Sequence, residues 1–88
     1  MKVMDGTKSL AANMISLLDS STSREDFELA SRAFSAGDYL ESIYNSSSAI
    51  IRNHVPHAEK LLEEALTVGL KSCYYEAEFR ELFSQKVA

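Results

Sequence analysis

The scarcity of helix-breaking residues constrains this chain more than any other feature. Its 88 residues include three glycines and one proline. Between these residues the apolar side chains recur with a period near 3.6, as they do along one face of a helix, and not with the period of 2 that marks a strand. The sequence therefore predicts an all-α fold.

Polar residues 19–23 separate the first two predicted helices. The apolar face of the first helix runs from about residue 7 to residue 18 and ends at this polar stretch. A capping box that begins at Thr22 or at Ser23 can satisfy the first free backbone amides of the second helix. We expect the second helix to end near Ser35.

The third predicted helix follows a glycine turn and has the clearest amphipathic pattern in the chain. Gly37 suits the left-handed conformation that ends a helix, and Asp38 can then be the N-cap of the next helix, with Glu41 at its third position. The spacing i, i+3, i+4, i+7 predicts the buried side of this helix. That side consists of Leu40, Ile43, Tyr44, Ser47, Ile50 and Ile51.

Pro56 predicts the start of a fourth and last helix, because a proline in the first helical turn loses no hydrogen bond and already has a helical φ. We expect this helix to reach about Ser84. Gly69 is its only internal breaker and costs about 1 kcal/mol relative to alanine. One bent helix and two shorter helices are both compatible with this pattern.

Short connections between the helices favour antiparallel neighbours. We therefore predict a small antiparallel helical bundle of three to four helices with a long C-terminal helix. Residues 1–88 are expected to form a single helical domain. A chain of this size buries only about 60 to 65% of the surface that its unfolded form exposes, so an interface with another subunit would add stability.

Charge and hydropathy disfavour two classes of partner. The formal net charge is −4, and the nine lysines and arginines are scattered along the chain. Nucleic-acid binding needs clustered basic residues, so nucleic acid is a disfavoured partner. No stretch approaches the roughly 18 consecutive apolar residues that a membrane span requires. We therefore expect no membrane partner.

The lone cysteine, Cys73, indicates a reducing, cytoplasmic setting. It cannot form an internal disulfide, and the N-terminal segment lacks the apolar core of a signal peptide because Asp5, Gly6 and Lys8 interrupt it. Cys73 also lies on an apolar stripe of the last predicted helix. We expect it to be a small buried core residue rather than a reactive thiol.

The last predicted helix carries more apolar surface than a small bundle needs. Two apolar stripes run along it about 100° apart, and one of them ends in aromatic residues. Either this second stripe packs inside the protein or its aromatic end contacts a partner. The residues expected to bind a protein partner, or a second copy of the chain, are Leu61, Val68, Tyr75, Phe79, Leu82 and Phe83.

Arg52 and His57, with four residues between them and Asn53 directly after the arginine, resemble the R-x4-6-H motif of HEPN-domain ribonucleases. The resemblance implies metal-independent RNA cleavage at a helix junction where two protomers bring their motifs together. A guanidinium can hold a phosphate, and an imidazole can transfer a proton near neutral pH. The alternative is that Arg52 and the two histidines have only structural roles at the junction.

His54 and His57 are three residues apart, but Pro56 places them on either side of a helix junction. No third ligand is close to them in the sequence. A metal site needs three or four convergent ligands and partners that orient them, so we expect no metal and no cofactor.

Residues 34–39, together with Ile43 and the pair 49–50, resemble the turn region of a tetratricopeptide repeat. The pattern occurs once, whereas a solenoid needs about three repeats for stability. The resemblance therefore implies one helical hairpin and not a peptide-binding array.

By elimination, the sequence predicts a small non-catalytic protein for protein–protein interaction. It would act as a homodimer, or as an accessory or regulatory part of a larger complex. The competing hypothesis is a HEPN-like ribonuclease that uses Arg52 and His57 as catalytic residues. A third class is a helical regulator associated with DNA or RNA.

Overall fold

The computed structural model describes the backbone of residues 2–87 and the side chains of residues 6–19 and 22–85. Within this range the chain forms five α-helices and no strand. The helices are α1 (Lys2–Ser21), α2 (Arg24–Ser35), α3 (Tyr39–Arg52), α4 (Glu59–Leu70) and α5 (Glu76–Val87). The all-α prediction is confirmed, and the expected count of three to four helices is wrong. The antiparallel bundle arrangement stays a prediction.

Helix α3 lies at the centre of the fold, because it contacts each of the other four helices. One buried cluster draws side chains from all five helices. The buried side of α3 is built mostly from small side chains. Its buried residues are Ser42, Ile43, Ser46, Ser47, Ala49 and Ile50.

The predicted caps of α2 and α3 are present. The hydroxyl of Ser23 accepts a hydrogen bond of 3.3 Å from the amide of Asp26, so Ser23 is the N-cap of α2. Thr22 instead donates its hydroxyl to a carbonyl of α1. The carboxylate of Asp38 accepts a hydrogen bond of 3.2 Å from the amide of Glu41. Both caps confirm local signals that the sequence contains.

Helix α3 ends in the same Schellman motif as α2, but with a histidine in place of a glycine. Gly37 has a φ of 83° after α2, and His54 has a φ of 51° after α3. The amide of His54 donates to the carbonyl of Ile51 (3.3 Å), and the amide of Val55 donates to that of Ile50 (3.1 Å). Left-handed backbone costs a residue with a Cβ about 1–2 kcal/mol, so His54 carries strain that Gly37 avoids.

The predicted long C-terminal helix is present as two shorter helices, the second of the two forms compatible with the sequence, and the break is not at Gly69 itself. Helix α4 ends at Leu70, turns occupy residues 71–75, and α5 begins at Glu76. The amide of Ser72 donates to the carbonyl of Gly69 (3.1 Å), which tightens and closes the last turn of α4. Cys73 falls in the break and is exposed, so the expectation of a buried core cysteine is wrong.

Two other helix boundaries differ from the sequence expectation. Pro56 does not begin α4, which starts three residues later at Glu59. The reason is His57, whose φ of 62° is left-handed and cannot belong to a first helical turn. Helix α1 also starts earlier than expected and continues to Ser21, so most of the polar stretch 19–23 is helical.

Gly69 allows α5 to pack directly against α4. A Cβ placed on Gly69 would lie 2.3 to 2.6 Å from three ring atoms of Phe79. The Phe79 ring is completely buried, and its centroid is 5.4 Å from that of Tyr44 on α3. Phe79 therefore fills the space between α3, α4 and α5, and only glycine leaves room for it.

Candidate functional site

The six residues predicted to contact a partner do not form one continuous stripe. Phe79 and Leu82 are core residues of the single chain, with 0% and 5% of their surface exposed. The other four are half-buried, and all of them pack against the core: Leu61, Val68, Tyr75 and Phe83. The expected stripe assumed one long helix, and the break at residues 71–75 places its two halves on different helices.

Tyr75 holds the turn between α4 and α5 against α3. Its hydroxyl donates a hydrogen bond to the carboxylate of Glu41, and its ring lies 6.3 Å from that of Tyr44. The hydrogen bond to Glu41, then burial and the negative charge of Glu41, raise the pKa of Tyr75 above its usual value. The neighbouring Tyr74 has 88% of its surface exposed. Of these two adjacent tyrosines, Tyr75 is thus part of the packing and Tyr74 faces solvent.

An open cleft of about 810 Å³ lies beside this turn. Its walls come from the first half of α1, the turn between α2 and α3, the first turn of α3, and α4 from Glu63 onward with the two residues after it. Four buried or half-buried apolar side chains line it: Leu10, Tyr39, Leu40 and Val68. The cleft therefore has an apolar interior of a size that suits a ligand site.

Charged side chains surround this apolar interior, and most of them are acidic. Asp38, Glu63 and Glu64 contribute three carboxylates to the cleft lining, and Lys71 contributes one ammonium group. All four side chains are exposed. Among the ion pairs of the described side chains, none involves Glu63, Glu64 or Lys71. The rim of the cleft is thus negatively charged, and two of its carboxylates have no cationic partner among the described side chains.

Of the predicted contact residues, only Val68 lines this cleft. The other residues that line the cleft were not predicted from the sequence, because the cleft joins segments that are distant in the chain, such as residues 37–40 and 63–72. The periodicity of apolar residues identifies the buried face of one helix, but it contains no information about a cleft between helices. The local signals at this place were the glycine turn at Gly37 and the N-cap at Asp38.

The residues that resemble the ribonuclease motif form a structural contact between α3 and α2. The guanidinium of Arg52 pairs with the carboxylate of Asp26 at 3.0 Å, and the side-chain amide of Asn53 donates to the same carboxylate at 3.4 Å. The hydrogen bond from Arg52 is the main cause that lowers the pKa of Asp26. His54 and His57 are both exposed in the loop that follows. Arg52 is thus occupied by a carboxylate of its own chain.

The described residues contain neither a candidate metal site nor a candidate membrane-spanning helix. Among the described residues, no group of three or more histidine, cysteine or carboxylate side chains could hold a metal ion. In the same part of the chain, no helix has the length and apolar character needed to cross a membrane.

Comparison of the chain with known protein families, with curated proteins and with solved structures found no match. The function of the protein is therefore inferred from the geometry of the chain itself.

Proposed function

We propose that this protein is a small non-catalytic interaction module, which binds a segment of another polypeptide in the cleft between α1, α3 and α4. The observation that carries the proposal is the apolar interior of that open cleft, formed by Leu10, Tyr39, Leu40 and Val68. Apolar clefts of about 300–1,000 Å³ with a few polar groups at their edge are typical of binding sites. The charged rim around this one would orient the bound segment.

A chain of 88 residues with one such cleft suits an accessory or regulatory subunit of a larger complex. Its core is small, and a bound partner would add stability that the chain alone lacks. A homodimer is the alternative form of such an interaction module. We also propose a reducing compartment such as the cytoplasm, because the single cysteine, Cys73, can form no internal disulfide.

Two lysine substitutions on α4 test the proposal. Val68→Lys places a charge inside the cleft, whereas Leu61→Lys makes the same kind of change at a half-buried position of the same helix outside the cleft. A random peptide library is selected on the immobilised wild-type protein, and the enriched peptides are then titrated against both variants. Circular dichroism verifies that both variants fold.

We expect Val68→Lys to weaken binding of the enriched peptides by at least about tenfold, since a charged group would have to be desolvated beside each bound apolar side chain. Leu61→Lys should change the affinity by less than about threefold. Equal losses in both variants, or no enriched peptide at all, would show that the cleft is not a binding site. Sedimentation equilibrium of the wild type tests the homodimer directly.

The competing prediction is the HEPN-like ribonuclease that would use Arg52 and His57. The pairing of Arg52 with Asp26 works against it, because the guanidinium would have to leave this carboxylate before it could hold a phosphate. The wild-type protein is incubated with single-stranded RNA in the presence of a chelator. We expect no cleavage, and cleavage that disappears in His57→Ala would replace our proposal by the ribonuclease.

A further inference from the structure

We infer that the occupant of the cleft is a cationic amphipathic segment of a partner protein, with apolar side chains in the cleft and lysines or arginines opposite its acidic rim. This inference rests on the proposed function and specifies the chemistry of the ligand. A cationic occupant fits best because the rim is negatively charged, with three carboxylates and one ammonium group among the lining residues.

The carboxylates differ in how free they are to bind a ligand. Asp38 already accepts the amide of Glu41 as the N-cap of α3. Glu63 and Glu64 are exposed and take part in none of the ion pairs found among the described side chains. A basic side chain of the ligand could therefore pair with either glutamate without breaking an ion pair of the described side chains. An acidic ligand would meet like charges at the same two positions.

The apolar interior lies directly beside these glutamates. Val68 follows Glu64 by one helical turn on α4, so the two side chains lie on the same side of that helix. Both residues line the cleft. A ligand that places a leucine-like side chain against Val68 would consequently bring its neighbouring residues close to Glu64. Apolar contacts would supply affinity, and charge would supply selectivity and orientation.

A second copy of this chain fits the cleft poorly. In a symmetric dimer the same patch occurs on both subunits and faces itself. Such a dimer would place the acidic rim of one copy against the acidic rim of the other. The net charge of −4 on each chain adds to this repulsion. The complementary occupant is a different chain with basic residues around an apolar stripe.

Two synthetic peptides and two charge variants test the inference. The peptides are about 12 residues long, or roughly three helical turns, and share one pattern of leucines. One peptide carries lysines and the other carries glutamates at the remaining positions. The variants are Glu63→Lys with Glu64→Lys, and Asp19→Lys with Glu81→Lys as the control. Each pair changes the formal net charge from −4 to 0, but only the first pair lies at the cleft.

We expect the wild type to bind the lysine peptide at least about tenfold more tightly than the glutamate peptide at low salt, with a smaller ratio as salt screens the rim. The cleft variant should reverse this preference, whereas the control variant should keep it within about threefold. Equal effects of the two variants would overturn the inference, since the attraction would then depend on net charge alone. So would a wild type that binds neither peptide or binds both equally. If library peptides still bound through Val68 in that case, the proposed function would stand and only the cationic ligand would be wrong.

Discussion

Gly69→Ala tests the packing on which the C-terminal half of the fold depends. At a helix position without tertiary contacts, alanine would stabilise the protein by about 1 kcal/mol relative to glycine. Here the new methyl group would lie 2.3 Å from the nearest ring atom of Phe79, whereas ordinary contacts of a Cβ lie at 3.4–4 Å. The ring or the helix must therefore move by more than 1 Å, as 3.4 minus 2.3 leaves 1.1 Å.

Phe79 has little freedom to move that far. Its ring is completely buried, and the rings of Tyr44 and Phe83 lie at centroid distances of 5.4 and 6.3 Å. Overpacking of this kind costs about 1–3 kcal/mol, and a clash with the body of a ring belongs at the upper end. After the gain in helix propensity is subtracted, we expect a net loss of about 2 kcal/mol. In a domain of this size that loss lowers Tm by roughly 8–16 °C.

Gly6→Ala is the matched control. Gly6 lies within α1, is exposed, and has no heavy atom within 4 Å of a Cβ placed on it. The same substitution should therefore raise the stability of the protein, by up to about 1 kcal/mol. Urea denaturation followed by circular dichroism gives both values, and an unchanged m-value verifies that the comparison is valid.

A double-mutant cycle with Phe79→Leu attributes the effect to the contact itself. A smaller side chain at position 79 should relieve part of the clash, so the two substitutions together should cost at least about 1 kcal/mol less than their sum. If Gly69→Ala stabilised the protein as Gly6→Ala does, the close packing of α5 against α4 would be refuted. Additive effects in the cycle would contradict it as well.

Four other substitutions should change the stability of the protein, and the effect of one of them depends on pH. Ser46→Ala should stabilise the protein by about 1 kcal/mol, because the buried hydroxyl of Ser46 has no hydrogen-bond partner. Ser42→Ala should destabilise it by about the same amount, because the hydroxyl of Ser42 donates a hydrogen bond of 2.9 Å to a carbonyl of α2. Thermal denaturation compares them, and equal signs would contradict the hydrogen-bond assignment. His54→Gly should stabilise by about 0.5–1 kcal/mol, since glycine adopts the left-handed φ of 51° without strain; a loss of stability in urea denaturation would argue against this conformation. The pKa of Tyr75 is higher in the folded state than in the unfolded state, so the protonated hydroxyl stabilises the folded protein. This stabilisation is complete below pH 10 and is lost as the pH rises above that value. Stability measured from pH 8 to 11.5 should thus fall less steeply in Tyr75→Phe than in the wild type, and identical slopes would exclude the bond to Glu41.

Local signals in the sequence predicted the local structure well. Ser23 and Asp38 cap the helices that follow them, and Gly37 has the left-handed conformation expected at the end of α2. Each of these features depends on a hydrogen bond or a backbone angle within a few residues. The local sequence therefore contains all the information that determines these caps and this turn.

The break after α4 could not be predicted in the same way. Residues 71–75 include neither glycine nor proline, and they continue an apolar pattern that fits a helix. What ends the helix there is long-range packing: Phe79 covers Gly69, and Tyr75 bonds to Glu41 across 34 positions of the chain. Tertiary contacts of this kind override local propensity.

The candidate site was only partly accessible to sequence reasoning. An aromatic stripe at helical spacing has the same appearance whether it is core or interface, so Phe79 could not be assigned to the core beforehand. The cleft itself depends on where α1, α3 and α4 meet. Only Val68 connects the predicted surface with the cleft that the structure contains.

A titration of the ¹⁵N-labelled protein with the lysine peptide, followed by NMR, shows where on the protein a cationic segment binds. If the cleft binds a cationic segment, the largest amide shifts should fall in residues 37–40 and 63–72, and the fit should give one binding site. The glutamate peptide should leave the same amides unchanged. Shifts centred on the exposed Tyr74 or on the loop at His54 and His57, with the cleft amides unmoved, would contradict the account.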